Sequence, residues 1–151
     1  AHTVMITTSP SKSEDAKELG ADEVLISKDE EQMQKHASSF DFLLNTIPVG
    51  HDMNPYANLL KRDATMVIVG AVEPLDPLHG GSLIMGRKSI AGPLIGGIKE
   101  TQEMLDFCGD HHVVSDIEMI DIQNINDAYD RLQKSDVKYR FVIDMKSLKD
   151  S

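Results

Sequence analysis

Cysteine is nearly missing from this chain: Cys108 is the only one. That excludes an internal disulfide framework and any zinc site built on several cysteines of this chain, and it fits a reducing compartment. Long apolar runs are missing too. No stretch approaches the roughly 20 residues of a membrane-spanning helix. No signal peptide is visible, because Ala1-His2-Thr3 opens straight into strand-like sequence. Positive charge is scarce: 15 Lys and Arg face 25 Asp and Glu, a net charge of −10. With no basic stripe to meet phosphates, nucleic acid and anionic membrane are excluded as partners. Any anion site must be local, and Lys12 and the Arg87-Lys88 pair are the candidates. There is no initiator Met, no internal repeat and no low-complexity stretch.

What is present is the material of an ordinary folded protein. A length of 151 residues with 40% hydrophobic content allows one domain with a real core, or parts of two. Apolar, β-rich runs alternate with helical patterns, the signature of βαβ units around a parallel sheet. Strands are predicted over 3–8, 23–26, 40–46, 65–69, 113–120 and 139–145. Helices are predicted over 11–19, 29–37, 52–60, 99–108 and 124–133. The first helix starts either with a Ser11/Glu14 capping box or with Ser9 as cap and Pro10 in the first turn, and Gly20 closes it. The run Phe40 to Thr46 is almost continuously apolar, which predicts burial on both faces. Leu83-Ile84-Met85 and 89–95 both read as extended. The helix over 99–108 carries Thr101, Met104, Leu105 and Cys108 on one inward stripe, so Cys108 reads as a buried, inert thiol.

The residues that could carry chemistry sit at strand ends. Thr7-Thr8-Ser9-Pro10-Ser11-Lys12 directly follows the apolar strand Val4-Met5-Ile6. A domain that binds NAD usually places Asp or Glu there, to accept from the ribose 2′-hydroxyl. No acid stands here. The hydroxyls of Thr7, Thr8 and Ser9 and the Lys12 ammonium do, and these suit a 2′-phosphate, backed by the N–H groups of the helix that follows. The competing reading is a plain helix cap; the missing acid tips the choice toward NADP. Thr46-Ile47-Pro48-Val49 and Gly70-Ala71 end two buried-looking strands, where ligands of open parallel sheets sit, or where chains simply turn. His51, His111 and His112 lack partners at metal-ligand spacing. Asp41 and Asp52 have nothing to bring them together.

Read together, these segments resemble the zinc-dependent medium-chain alcohol dehydrogenases, in the cinnamyl alcohol dehydrogenase-like branch of NADPH-dependent aldehyde reductases. The resemblance runs through TTSPSK, LGADEVLIS, NTIPVGHDMNPYANLLKRDATMVIVG, LIMGRKSIAGPLIGGIKETQEMLDFC and DVKYRFVID. It implies an α/β fold: a Rossmann-like, doubly wound parallel sheet without its first strand and glycine-rich turn, plus a C-terminal segment of the catalytic domain. Residues 1–96 would be the NADP-binding part, and 97–151 the part that returns to the catalytic domain. The resemblance gives the 2′-phosphate to Thr7, Thr8, Ser9 and Lys12, and the nicotinamide wall to Thr46, Pro48 and Val49. The backbone carbonyls of Ala71 and Pro93 and the N–H of Ile95 would hold the carboxamide, with Arg140 near the pyrophosphate. Leu83, Ile84 and Met85 would form an edge strand pairing across a two-fold axis, making a homodimer.

The same resemblance places the catalytic zinc ligands in a front part that precedes Ala1, so no catalytic or metal-ligating residue is expected in this chain. Two readings of function follow. In the first, the intact protein is a cytoplasmic, zinc- and NADP-dependent enzyme interconverting primary alcohols and aldehydes. This chain holds its cofactor and is inactive alone. In the second, the chain is a non-enzymatic nucleotide-binding or dimerisation fragment. A sheet lacking its central strand leaves two rows of backbone groups to satisfy. Closure around the gap, a strand from another molecule, or a missing piece present elsewhere would each do so.

Overall fold

The computed structural model describes residues 1–70, 73–134 and 136–150. It divides into two compact units, Ala1–Leu94 and Ile95–Ser151. In the first unit, strands and helices alternate along the chain. β1 (Val4–Thr7) leads through a 3₁₀ turn (Pro10–Lys12) into α1 (Ser13–Glu18), then β2 (Glu23–Ile26) and α2 (Glu30–Lys35). β3 (Phe40–Asn45), α3 (Asn54–Leu59), β4 (Leu60–Ile68), α4 (Gly80–Gly86) and β5 (Ser89–Ala91) complete it. Every strand pairing is parallel, as the alternation predicts. Gly20 takes the left-handed conformation that ends α1, with φ 99°.

The pairing is interrupted at one place. β1 pairs with β2, and β3 with β4 and β5, but no ladder joins β1 to β3. Closure of the sheet around a missing strand is therefore not what the fold does. Side chains from both sheets meet in one core. Leu25 from β2, Leu43 from β3 and Ala64 and Met66 from β4 form one core with Met53, Leu59 and Leu60, and Val4 and Ile6 pack on it. Leu25, Leu60 and Met66 are fully buried, and each such side chain contributes about 1.5–3 kcal/mol of hydrophobic stabilisation.

Several expected elements come out differently. β3 is buried on one face only: Leu43 and Asn45 point inward, while Phe42 and Leu44 are 58% and 52% exposed. Its apolar outer face has no covering layer among the described residues. Leu83-Ile84-Met85 is not an edge strand but the middle of α4. The helix closes through Arg87 at φ 51°, whose N–H and that of Lys88 reach back to the carbonyls of Ile84 and Leu83. The edge strands of the three-stranded sheet are β3 and β5.

The second unit holds α5 (Ile98–Asp110), β6 (Glu118–Asp121), α6 (Ile125–Gln133) and β7 (Phe141–Asp144). β6 and β7 pair in parallel. β6 is shorter than its apolar run because the ladder begins only where the Glu118 N–H reaches the Arg140 carbonyl. α6 buries Ala128. No residue of α5 is buried, so the stripe predicted to face inward is open, and Cys108 is half-buried rather than buried. Among the described residues no helix is long and apolar enough to cross a membrane.

Candidate cofactor-binding site

The tip of β1 is built from short-range hydrogen bonds. The Ser9 N–H donates to Thr7 Oγ1 at 3.2 Å, which turns the chain as the strand ends. Ser9 is extended, with φ −119° and ψ 118°, and Pro10 starts the helical run where its missing N–H is harmless. The start at Ser9 and Pro10 is thus the one used. Neither the 3₁₀ turn nor α1 has a side-chain cap, so no Ser11/Glu14 box forms. Ser9 Oγ instead shares a hydrogen bond of 2.7 Å with Ser11 Oγ. The Ser27 N–H donates to the Thr7 carbonyl at 2.9 Å and moors the tip to β2.

This leaves unspent donors at the tip. Thr8 and Lys12 are exposed, and neither side chain has a partner among the described residues. No Asp or Glu stands between Val4 and Lys12. A three-residue turn followed by a six-residue helix carries little dipole. Lys12 is therefore the main source of positive potential, against Glu14 and Asp15 in the first turn of α1.

The end of β3 is a second, tighter construction. Asn45 is 4% exposed. Its side-chain oxygen accepts the Ile47 N–H at 3.0 Å, and its amide nitrogen meets His51 Nε2 at 2.9 Å. His51 Nδ1 reaches the Val49 carbonyl at 2.8 Å. The Tyr56 ring packs edge-on against the imidazole, with centroids 5.8 Å apart. Glu73 closes the other side: its N–H donates to the Pro48 carbonyl at 3.3 Å, and its carboxylate accepts the Gly50 N–H at 2.8 Å. Gly70 presses on the same turn, since a Cβ there would lie 2.4 Å from the Thr46 carbonyl oxygen. The turn presents Thr46, Pro48 and Val49 outward.

Thr46, Pro48 and Val49 thus come together with the end of β4. Thr7, Thr8, Ser9 and Lys12 form a separate group, and no hydrogen bond among the described residues links the two. Pro93 is exposed beyond the end of β5. Ala71 lies outside the described residues. Ile95 and Arg140 belong to the second unit, where the Arg140 side chain is exposed. Asp41 and Asp52 stay apart in their bonding: Asp41 pairs with Lys61 at 2.8 Å, and Asp52 accepts from Asn54. Sequence reasoning passed over Asn45 and weighed His51 only as a metal ligand. The available signal was a lone amide closing the apolar run Phe42-Leu43-Leu44, six residues before a histidine.

Comparison with known proteins gives this geometry a context. Residues 1–110 match the family model described as zinc-binding dehydrogenase. The chain is 54% identical to aldehyde reductase YahK of Escherichia coli (strain K12), over 99% of this chain and 43% of that protein. It is 49% identical to a probable cinnamyl alcohol dehydrogenase of Pinus taeda, over 95% of this chain and 41% of that protein. The chain therefore spans about two fifths of the length of these relatives. Among solved structures, the cinnamyl alcohol dehydrogenase SbCAD4 of Sorghum bicolor superposes with a TM-score of 0.85 at 43% identity, covering 93% of this chain and 40% of that one. A CAD from Helicobacter pylori, complexed with NADP(H), does so with a TM-score of 0.77 at 33% identity, covering 95% and 41%. The fold matches the Rossmann-like C-terminal domain of alcohol dehydrogenases and is interrupted between β1 and β3. By its family match and by identity along nearly its whole length, the chain belongs to the zinc-binding dehydrogenases.

Proposed function

We propose that this chain is the NADP(H)-holding part of a zinc-dependent oxidoreductase that interconverts aldehydes and primary alcohols. The observation that carries the cofactor choice is the tip of β1, where Thr8 and Lys12 are unpartnered and no carboxylate stands. Thr7, Thr8 and Ser9 offer hydroxyls to a 2′-phosphate, and Lys12 offers a full charge. A carboxylate in this position would instead favour the 2′-hydroxyl of NAD. The relatives named as aldehyde reductase and cinnamyl alcohol dehydrogenase, and the H. pylori complex with NADP(H), support the same reading. Thr46, Pro48 and Val49 form the wall for the nicotinamide end, and the Pro93 carbonyl faces its carboxamide. The bound cofactor supplies hydride, while the protein's task is to orient it.

Zinc does not fit this chain. Among the described residues no three His, Cys, Asp or Glu side chains gather to hold an ion. In this reading its ligands belong to the rest of the polypeptide, and the present chain alone turns over nothing. The reading includes a small aldehyde or alcohol as substrate, a second copy of the protein as partner, and the cytoplasm as compartment.

The test is a pair of nucleotide titrations on the polypeptide that carries this chain. Lys12→Ala is expected to weaken NADPH by about ten- to a hundredfold, the worth of one charge-assisted phosphate contact, and to leave NADH nearly unchanged. Equal loss of both would remove Lys12 from the phosphate site. Turnover of an aldehyde with NADPH by residues 1–151 alone would overturn the placement of the catalytic groups.

A further inference from the structure

We infer that Asn45 and His51 are positioning residues: together they latch the Thr46–Val49 turn in the shape that meets the nicotinamide end of the cofactor, and they do so only while His51 is neutral. The proposal rests on the cofactor reading above. It deepens that reading by naming what holds the wall in place and what releases it.

The logic begins with the backbone. The Ile47 N–H is a donor, so the atom of Asn45 facing it at 3.0 Å must be the side-chain oxygen. A flipped amide would set donor against donor. With that oxygen fixed, the Asn45 NH₂ faces His51 Nε2 at 2.9 Å, and Nε2 must accept. The other ring nitrogen reaches the same conclusion independently. Nδ1 lies 2.8 Å from the Val49 carbonyl, which can only accept, so Nδ1 carries the proton. Two unrelated partners therefore select one tautomer. Asn45 is also held from its own backbone, because its carbonyl accepts the Val69 N–H from the end of β4 at 2.9 Å. The chain of contacts runs from the buried β3–β4 ladder, through Asn45 and His51, to the carbonyl of Val49 in the exposed turn.

A second proton on His51 breaks this chain. It would put an N–H on Nε2, pointing at the Asn45 NH₂. No rotation of the amide repairs this without abandoning Ile47. The Tyr56 ring packs on the imidazole; of the carboxylates nearest along the chain and the turn, Asp52 accepts the Asn54 N–H at 2.9 Å and Glu73 accepts the Gly50 N–H. Neither carboxylate hydrogen-bonds the ring, so neither replaces the lost contact. Protonation of the ring therefore opens the latch.

Asn45→Asp makes the idea sharply testable. An aspartate can accept both from Ile47 N–H and from a protonated Nε2, while Nδ1–H still serves Val49. The variant should therefore favour the imidazolium, which the parent excludes. The experiment measures NADPH and NADH affinity from pH 5.5 to 8.5 for the polypeptide carrying this chain, for His51→Ala and for Asn45→Asp. ¹⁵N spectra of the His51 ring are recorded alongside. In the parent, a neutral ring protonated at Nδ1 is expected, with affinity falling about three- to tenfold on the acid side, the worth of one hydrogen bond. In Asn45→Asp the ring should remain an imidazolium to higher pH, and the acid-side loss should vanish or reverse. His51→Ala should weaken NADPH and NADH alike, unlike Lys12→Ala. An Nε2-protonated ring in the parent, or identical pH profiles in parent and Asn45→Asp, would overturn the latch. Equal weakening of NADPH and NADH by Lys12→Ala, with the His51 results intact, would instead overturn only the cofactor assignment.

Discussion

Single residues set much of the charge logic of this chain. Glu118 opens β6, and each of its carboxylate oxygens accepts from one donor. The Lys138 N–H donates to one carboxylate oxygen at 3.1 Å, and Arg131 donates to the other at 2.8 Å. Arg131 also reaches Asp136 at 3.0 Å and lies 4.8 Å over the Phe141 ring. The Lys138 N–H first, and then the Arg131 guanidinium, hold the Glu118 carboxyl below its ordinary range. A carboxyl with a lowered pKa in the folded state favours folding above its unfolded value, near 4.3. That contribution fades as pH falls through the lowered value. Glu118→Gln should therefore destabilise the second unit at pH 7 more than at pH 3 in urea unfolding. Equal destabilisation at both would mean that the charge of Glu118 is not used. At this scale the proposed phosphate-facing residues Thr7, Thr8, Ser9 and Lys12 could be named from the sequence, because Thr, Ser and Lys at a strand tip declare their chemistry by type. Asn45 and His51 were not, because their roles depend on which backbone group each ring or amide atom meets.

Elements were legible where a local signal coincided with a partner. The apolar runs at Val4–Thr7, Glu23–Ile26 and Phe40–Asn45 became parallel strands. Gly20 ended α1 because only its φ of 99° completes that turn cheaply. Leu83-Ile84-Met85 misled because three apolar residues cannot separate strand from helix by periodicity. In the structure the run lies within α4, which closes at the left-handed Arg87. α5 kept the right boundaries to within a turn, yet its stripe faces open space, since amphipathicity states which side seeks cover and not whether cover is there. The junction of α3 and β4 is the element pair most dependent on packing. Leu59 ends the helix and Leu60 begins the strand, and they are 1% and 0% exposed. Lys88 Nζ donates to the Ala57 carbonyl at 2.7 Å beside them. Leu59→Ala should cost about 2–5 kcal/mol, read as a lower urea midpoint for the first unit. A loss under 1 kcal/mol would show that the junction can collapse around the gap.

At the scale of the molecule, the order of protection should follow the ladders. β4 is bonded on both sides, by β3 and β5, whereas β1 has only β2. Amide hydrogen exchange is expected to be slowest in Thr65–Val67 and markedly faster in Val4–Thr7. Uniform protection across β1 and β4 would mean that β1 finds a second neighbour in solution. The relation of β1 to β3 was the least legible feature, because pairing is a property of two segments and neither one's sequence states its neighbour. Its consequence reaches the proposed cofactor site. Methyl groups meshing across that seam keep no count of residues, so a small slide of the β1–β2 pair along β3 swaps one greasy neighbour for another without breaking a backbone bond. The span between the Lys12 ammonium and the Val49 wall is then only as exact as that soft joint. A dinucleotide gripping both ends would serve the protein as its own ruler.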